Sequence, residues 1–406
     1  MGKGENLPWK ERKPLDEKRS FIAEWERQEE SLAELCRRYE ISRQTGYKWL
    51  ERYQQEGESG LEEHSRAPLN HPQAMPPKVR EALVGLRSRY PNWGPRKLRA
   101  YLQRETPKIR WPAASSIGDL LRREGLAHPR RERKRTPSYT EPLKHAEAPN
   151  QVWCADFKGW FLTQDGSRCD PLTITDAYSR YLLRCCVVKR TDGEHAWAVF
   201  EAAFREFGLP EAIRTDNGTP FASRAPAGLS QLSMLWLRLG IRHERIEPGQ
   251  PQQNGRHERM HQTLKQETAS PPEQNLRRQQ MAFLRFQHEY NQARPHEALQ
   301  YQTPASHYVG SDRRYPAKLP ELEYPEGAHL RRVSHHGDVK LDGVRMFVSS
   351  LLAWEVVGLL ELEQDPDWLE VYYGPLMIGW MDLRKLRLLP VGTGGRRRGT
   401  RKQTAL

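Results

Sequence analysis

Three acidic residues are set apart by the residue types around them. Asp156 lies inside an apolar run, Trp153-Cys154-Ala155-Asp156-Phe157, where an unpaired carboxylate is costly to bury and something must compensate its charge. Asp216 closes the stretch Ile213-Arg214-Thr215, at the carboxyl end of an expected strand, which is where open α/β sheets place ligands. Glu258 falls on an expected helix that opens near Pro251-Gln252-Gln253-Asn254-Gly255. Asn254, His261, Gln262 and Lys265 lie three, four or seven positions from it and so share its face. Acids from three separated segments that meet at one sheet edge repel one another unless a cation sits between them. Hard oxygen ligands select Mg²⁺, with Mn²⁺ able to substitute, over zinc. Two such ions suit phosphoryl transfer, one activating the attacking oxygen and the other stabilising the leaving one.

Other polar groups near these acids read differently. Asp176, in Thr175-Asp176-Ala177-Tyr178-Ser179-Arg180, is expected to cap a turn between two strands and stays outside the acid set. His257 and His261 flank Glu258, but an oxygen-loving ion makes His261 a positioning group for DNA or substrate rather than a ligand. His195 and Trp197 open a helix as surface and core, and His335-His336 marks a loop of the last domain.

The elements that must position the acids follow from the apolar rhythm. Strands are expected over 152–160, 171–176 and 181–188, a helix over 194–207, and a strand over 211–215. A helix over 230–239, a strand over 242–246, a helix from about 251 and another over 273–291 complete the segment. Three strands, helix, strand, helix, strand, helix is the ribonuclease-H-like plan, an α/β core over 150–310. Before it, Ser31 and Glu34 form a capping box and Ser42 caps a helix over 43–53. Tyr47 and Leu50 repeat at helical spacing there, while Arg43, Gln44 and Lys48 stay polar. This is the rhythm of a helix-turn-helix whose second helix reads base edges in the major groove. A similar pair at 95–102 and 113–123 gives a second helix-turn-helix-like unit. These all-α units occupy 1–60 and 76–127, and 128–149 is a basic linker. Its Arg130, Arg131, Arg133, Lys134 and Arg135 can track phosphates or serve as a solvated tether. Asp342-Gly343 supplies a two-residue hairpin turn, and further β-like runs predict a small β-barrel over 325–390, of about 60 to 70 residues and able to fold alone. A basic tail, 391–406, is expected to be disordered.

Composition agrees with a polyanion partner. Lys and Arg number 65 against 52 Asp and Glu, giving a formal net charge of +13 and a pI near 9.5. The five cysteines include no C-x-x-C pair, so neither a disulfide scaffold nor a zinc ribbon is indicated. With no long apolar run and a charged N-terminus, no membrane span or signal peptide is expected, and the location read is cytoplasmic and nucleoid-associated.

Taken in order, Trp-Cys-Ala-Asp156-Phe, Thr-Asp-Ala-Tyr-Ser-Arg180, Arg-Thr-Asp216-Asn-Gly and Gln252-Gln-Asn-Gly-Arg-His-Glu258-Arg-Met-His-Gln-Thr-Leu-Lys265 resemble the catalytic core of insertion-sequence transposases of the retroviral-integrase superfamily. Tyr290-Asn291, Arg294-Pro295-His296 and Thr303-Pro304-Ala305 resemble the segment that follows that core. The resemblance implies an Asp-Asp-Glu site at Asp156, Asp216 and Glu258, which would be both the catalytic and the metal-ligating residues of a Mg-dependent DNA strand transferase. It also implies Lys265 near DNA, Asn254 and Gly255 positioning the glutamate's helix, duplex DNA partners (terminal inverted repeats and target), and a homo-oligomer that pairs DNA ends. Forty-one residues separate Asp216 from Glu258, more than is usual in the family, and the surplus is placed in a Pro- and Gly-containing loop at 223–230. The zinc-binding module of retroviral integrases is absent from the text. Two alternatives carry different tests: a DNA-binding regulator with an inert ribonuclease-H-like domain would bind without nicking in Mn²⁺, and a hybrid nuclease would prefer RNA–DNA substrates.

Overall fold

The computed structural model describes residues 14–63, 74–127, 146–247, 255–362 and 365–391. The basic run from Arg130 to Arg135, Asn254 and the tail 392–406 lie outside the described residues. The chain divides into two compact units, Met1–Pro76 and Pro77–Leu406.

The first unit holds α1 (Pro14–Glu26), α2 (Leu32–Arg38) and α3 (Arg43–Glu56). Ser31 and Glu34 form the capping box, with Ser31 N–H donating to Glu34 Oε2 at 3.1 Å and Glu34 N–H to Ser31 Oγ at 3.4 Å. Ser42 Oγ accepts from Thr45 N–H at 3.1 Å and starts α3. Phe21, Ile22, Leu35, Cys36, Trp49 and Leu50 make the core. The close crossing of α2 and α3 depends on Gly46, where a Cβ would stand 2.5 Å from Cys36 Sγ. The buried stripe of α3 is Gly46, Trp49 and Leu50. Tyr47, read from the sequence as apolar-face, is 63% exposed and stands with Arg43, Gln44 and Lys48, because the 3.6-residue period that buries 46, 49 and 50 turns 47 outward.

The second unit opens with α4 (Pro77–Arg89), α5 (Pro95–Glu105) and α6 (Ala114–Arg123). The sequence reading anticipated α5 and α6; α4 completes their bundle through an arginine. Buried Arg87 donates to Trp93 O at 2.5 Å and to Leu126 O at 2.8 and 3.1 Å, so it satisfies backbone carbonyls of the loop before α5 and of the chain just after α6. From α5, Arg104 donates to Ala293 O at 3.2 Å and Arg96 lies 3.5 Å from Glu297, joining the bundle to the central layer.

That layer is built from β1 (Val152–Phe157), β2 (Phe161–Leu162), β3 (Arg168–Asp176), β4 (Leu182–Val188), α7 (Gly193–Phe207), β5 (Ala212–Thr215), α8 (Gln231–Arg238), β6 (Arg242–Arg245), α9 (Gly255–Thr268) and α10 (Leu276–His288). β3 runs antiparallel to both β1 and β4; β5 runs parallel to β1 and β6 parallel to β5. One sheet face packs Trp153, Leu172 and Ile174 against Phe200 and Phe204 of α7 and Leu232 and Trp236 of α8. The other packs Cys169, Leu182 and Cys185 against Met260, Leu264, Phe283 and Phe286 of α9 and α10. This is the ribonuclease-H-like order. β1 stops at Phe157 instead of running to 160, because Gly159, at φ +84°, turns the chain into the short β2–β3 hairpin. All five cysteines are free thiols.

The last element group comprises β7 (His329–Arg332), β8 (Asp338–Leu341), β9 (Val344–Phe347), β10 (Val356–Glu361), β11 (Trp368–Tyr373), β12 (Leu376–Asp382) and β13 (Arg387–Pro390), paired in the order β7-β10-β11-β12-β13-β9-β8. The outermost strands β7 and β8 are joined by a loop in which Ser334 N–H donates to Asp338 O at 2.7 Å, and the sheet curls into a nearly closed barrel. Asp342 and Gly343 take φ +47° and +85°, as the hairpin turn requires. Val357, Val371, Tyr373, Ile378 and Met381 fill the barrel, and Leu229 and Met234 belong to the same apolar cluster. Arg238 of α8 pairs with Glu355 and reaches Tyr373 Oη at 3.5 Å. The barrel is therefore seated on α8 and on the loop that precedes it. Among the described residues no helix is long and apolar enough to cross a membrane.

Candidate active site

β1 and β5 are parallel neighbours with Trp153 opposite Ile213 and Cys154 opposite Arg214. Two residues further along each strand direction stand Asp156 and Asp216, so both aspartates emerge at the same carboxyl edge. Glu258 is in the first turn of α9 and exposed. Burial, then the charge of Asp216, and also Glu258, push the Asp156 carboxyl up to about 7, against the opposing pull of the Phe157 backbone N–H and of Lys158. The three acids thus share one electrostatic field. Among the described residues no group of three His, Cys, Asp or Glu side chains forms a ready-made metal cage.

The loop after β5 is held locally. Gly218 N–H donates to Asp216 Oδ1 at 3.0 Å, and a Cβ at Gly218 would stand 3.1 Å from Asp216 Oδ2. Asn217 Nδ2 donates to Ile246 O at 2.7 Å, tying this loop to the end of β6.

Beneath the acids lies a buried network that the sequence reading missed. Thr173 pairs with Asp156 across the β1–β3 ladder, and its Oγ1 is 3.2 Å from Asp156 O, 2.7 Å from His257 Nε2 and 2.7 Å from His261 Nε2. His257 Nδ1 is 3.0 Å from Thr175 Oγ1. The two rings meet edge to face at 4.6 Å, and His261 Nδ1 lies 3.8 Å from Asp156 Oδ2. Burial pushes His257 down to about 3 and His261 to about 2, so both imidazoles are neutral. The helix that bears Glu258 is thereby pinned to the strand beside Asp156. The signal was present in the alternation Leu172-Thr173-Ile174-Thr175, apolar toward α7 and α8 and hydroxyl toward α9, combined with two histidines four apart on α9.

His261, expected to meet DNA, is 6% exposed and turned into this network. Lys265 is exposed on α9, and Arg43, Gln44 and Lys48 are exposed on α3. Asp176 is buried in its turn: Oδ2 accepts from Ser179 N–H at 2.8 Å and Ser179 Oγ–H at 2.6 Å, and Oδ1 accepts from Asn150 N–H at 2.8 Å.

The architecture defines a class: a ribonuclease-H-like core preceded by helix-turn-helix units and followed by a small β-barrel. Residues 146–251 and 239–304 each match a model described as an integrase core domain, residues 17–68 a helix-turn-helix domain and residues 45–121 a homeodomain-like domain. The chain is 30% identical over 246 residues to the insertion element IS407 uncharacterized 31.7 kDa protein of Burkholderia multivorans, covering 59% of this chain and 84% of that protein. It is 28% identical over 243 residues to the insertion element IS476 uncharacterized 39.2 kDa protein of Xanthomonas euvesicatoria, covering 60% and 66%. Among solved structures, a chain of the simian T-cell lymphotropic virus intasome in complex with PP2A regulatory subunit B56 gamma is similar with a TM-score of 0.36 and 16% identity, over 73% of this chain and 97% of that one. The chain belongs to the insertion-sequence transposases of the integrase superfamily.

Proposed function

We propose that this protein cleaves the ends of its own mobile element and joins the freed 3′-hydroxyls to target DNA, with Asp156, Asp216 and Glu258 as the catalytic carboxylates. The observation that carries this reading is that Asp156 and Asp216 lie at the same carboxyl edge of the parallel strands β1 and β5, with Glu258 on the helix pinned to the neighbouring strand β3. An all-oxygen donor set whose members repel one another fits a hard divalent cation. Asp156, Asp216 and Glu258 would hold Mg²⁺ or Mn²⁺, with the first turn of α9 bringing the glutamate in. When bound, the metal supplies charge neutralisation, activation of the attacking oxygen and stabilisation of the leaving one.

The chain's own groups do the rest. Thr173, His257 and His261 hold α9 against β3, so His261 serves Asp156 from inside the protein instead of touching DNA. The segments 1–60 and 76–127 recognise the terminal inverted repeats, with Arg43, Gln44 and Lys48 at base edges and phosphates. Lys265, Asn254, the Arg130–Arg135 run and the barrel, 325–390, hold backbone phosphates with strong salt dependence. Two copies at least pair the two ends, which the mass of the DNA complex tests.

The deciding experiment is end cleavage and strand transfer by Glu258→Gln on a duplex carrying the inverted repeat. Loss of metal-dependent turnover by at least about a thousandfold with DNA binding retained is expected. Undiminished activity removes Glu258 from the chemistry, and a wild type that binds without nicking in Mn²⁺ identifies an inert core.

A further inference from the structure

β1 and α9 contribute more than acids to the surface they share. Lys158 follows Asp156 by two residues, and its N–H extends the ladder to Pro171 O at 3.0 Å, so both side chains leave the same side of the strand. Lys265 follows Glu258 by seven residues, two turns along the same helix face. Each element therefore carries an acid and then a lysine, and the two lysines line one cleft of about 120 Å³ together with Trp160, Pro171, Leu264 and Thr268. Among the described residues neither lysine has a salt-bridge partner.

At the rim, Trp160 is 59% exposed. The Arg168 guanidinium sits 5.2 Å from its ring centroid, held there by two bonds to Asp170 at 2.7 and 2.9 Å. Two facing cations and a large aromatic ring left in water match a nucleotide: its phosphate on the ammonium groups, its base on the indole. A base stacks on a side chain only when its own face is free, which selects an unpaired nucleotide over an internal base pair.

We propose that Lys158, Lys265 and Trp160 form a subsite for an unpaired nucleotide adjacent to the bond cut at the acids, the lysines taking its phosphate and Trp160 its base. This rests on the reading that the acids act on DNA ends. Lys158 and Trp160 are its new members, and both lie on the β1–β2 turn that Gly159 makes possible.

The test uses the full chain and a duplex of the element's end, taken from DNA flanking the coding region, with a frayed terminus carrying 5-iodouracil. Irradiation is expected to cross-link the peptide that contains Trp160. Trp160→Ala should lose the cross-link and bind the frayed end about tenfold more weakly, Trp160→Phe should retain both, and a fully paired internal duplex should bind all three alike. Lys158→Ala should lower the salt dependence of frayed-end binding by about one counterion. A wild-type cross-link elsewhere, or Trp160→Ala binding the frayed end as the wild type does, overturns the subsite. So does a Trp160→Ala defect confined to the mass of the assembly, which would assign the indole to a contact with a second copy. Cleavage is scored separately, so cross-linking at Trp160 without metal-dependent nicking would reject the enzymatic reading and leave the subsite standing.

Discussion

Replacing Thr173 with valine removes one oxygen atom and almost no volume, yet that oxygen touches three groups. Thr173 is fully buried, with Oγ1 2.7 Å from each of two imidazole nitrogens and 3.2 Å from Asp156 O. The isosteric methyl leaves both histidines short of a partner in a buried site. At about 1–3 kcal/mol for each stranded polar group, and allowing for partial relaxation, the loss is roughly 2–5 kcal/mol. Urea denaturation of Thr173→Val should show it, while Thr173→Ser, which keeps the hydroxyl, should recover most of it at the cost of a small cavity. The same change frees α9 from β3. A shift of about 1 Å in Glu258 is expected to lower the turnover of end cleavage about a hundredfold, with DNA affinity little altered. If Thr173→Val matches the wild type in both stability and turnover, the hydroxyl is not what holds the glutamate's helix in place.

Three further expectations follow from other parts of the structure. Asp176→Ala strands the N–H groups of Asn150 and Ser179 and the Ser179 hydroxyl and should cost roughly 2–4 kcal/mol on denaturation; full stability with lost cleavage would instead make Asp176 a member of the chemical site. Burial holds His243 at about 4, aided by Arg245, and His296 at about 3, aided by Lys97 and Arg294. Both sit below the ordinary 6.5, so the unfolded chain takes up protons first. Stability is full above about pH 6.5 and falls by up to about 1.4 kcal/mol per pH unit per histidine, down to about 4 for His243 and about 3 for His296. A His243→Gln variant whose thermal midpoint drops as steeply as the parent's between pH 7 and pH 5 would exclude His243 from that slope. Leu229→Ala, truncating a side chain packed in the barrel's cluster, should destabilise the seating of the barrel by about 2–4 kcal/mol, seen as faster proteolysis around residues 312–326; an unchanged cleavage rate would show that Leu229 does not anchor it.

What could be read in the sequence was what depends on near neighbours. The capping box at Ser31, the Asp342-Gly343 turn and the apolar run around Asp156 each declare themselves within a few residues, and the strand–helix order that follows gives the ribonuclease-H-like core. Helices α1 and α4 escaped because their buried positions are few and set in charged text: Phe21 and Ile22 in one, Leu83 and an arginine, Arg87, in the other. An arginine in a core stripe gains its meaning only from carbonyls that another helix end supplies. Tyr47 was assigned to the buried face of α3 by its ring, whereas Gly46, with no side chain at all, occupies that face. The Thr173 network joins residues more than eighty positions apart, so its parts look ordinary when taken singly. His261 lies one turn from Glu258 on α9, but polarity alone does not tell whether a side chain there meets solvent or a neighbouring strand.

The seating of the barrel has a practical consequence. Leu229 and Met234, in the span between the second and third acids, complete an interior that the seven strands enclose. Amputating the chain after the sheet layer would uncover them on one flank and strip Arg238 of its Glu355 counter-charge on the other. A fragment ended there should be adhesive and prone to self-association, and its remaining acids would be carried on a slackened frame. The two modules fit as mortise and tenon, sharing one apolar seam and one ion pair, and belong together in any fragment meant to stay folded.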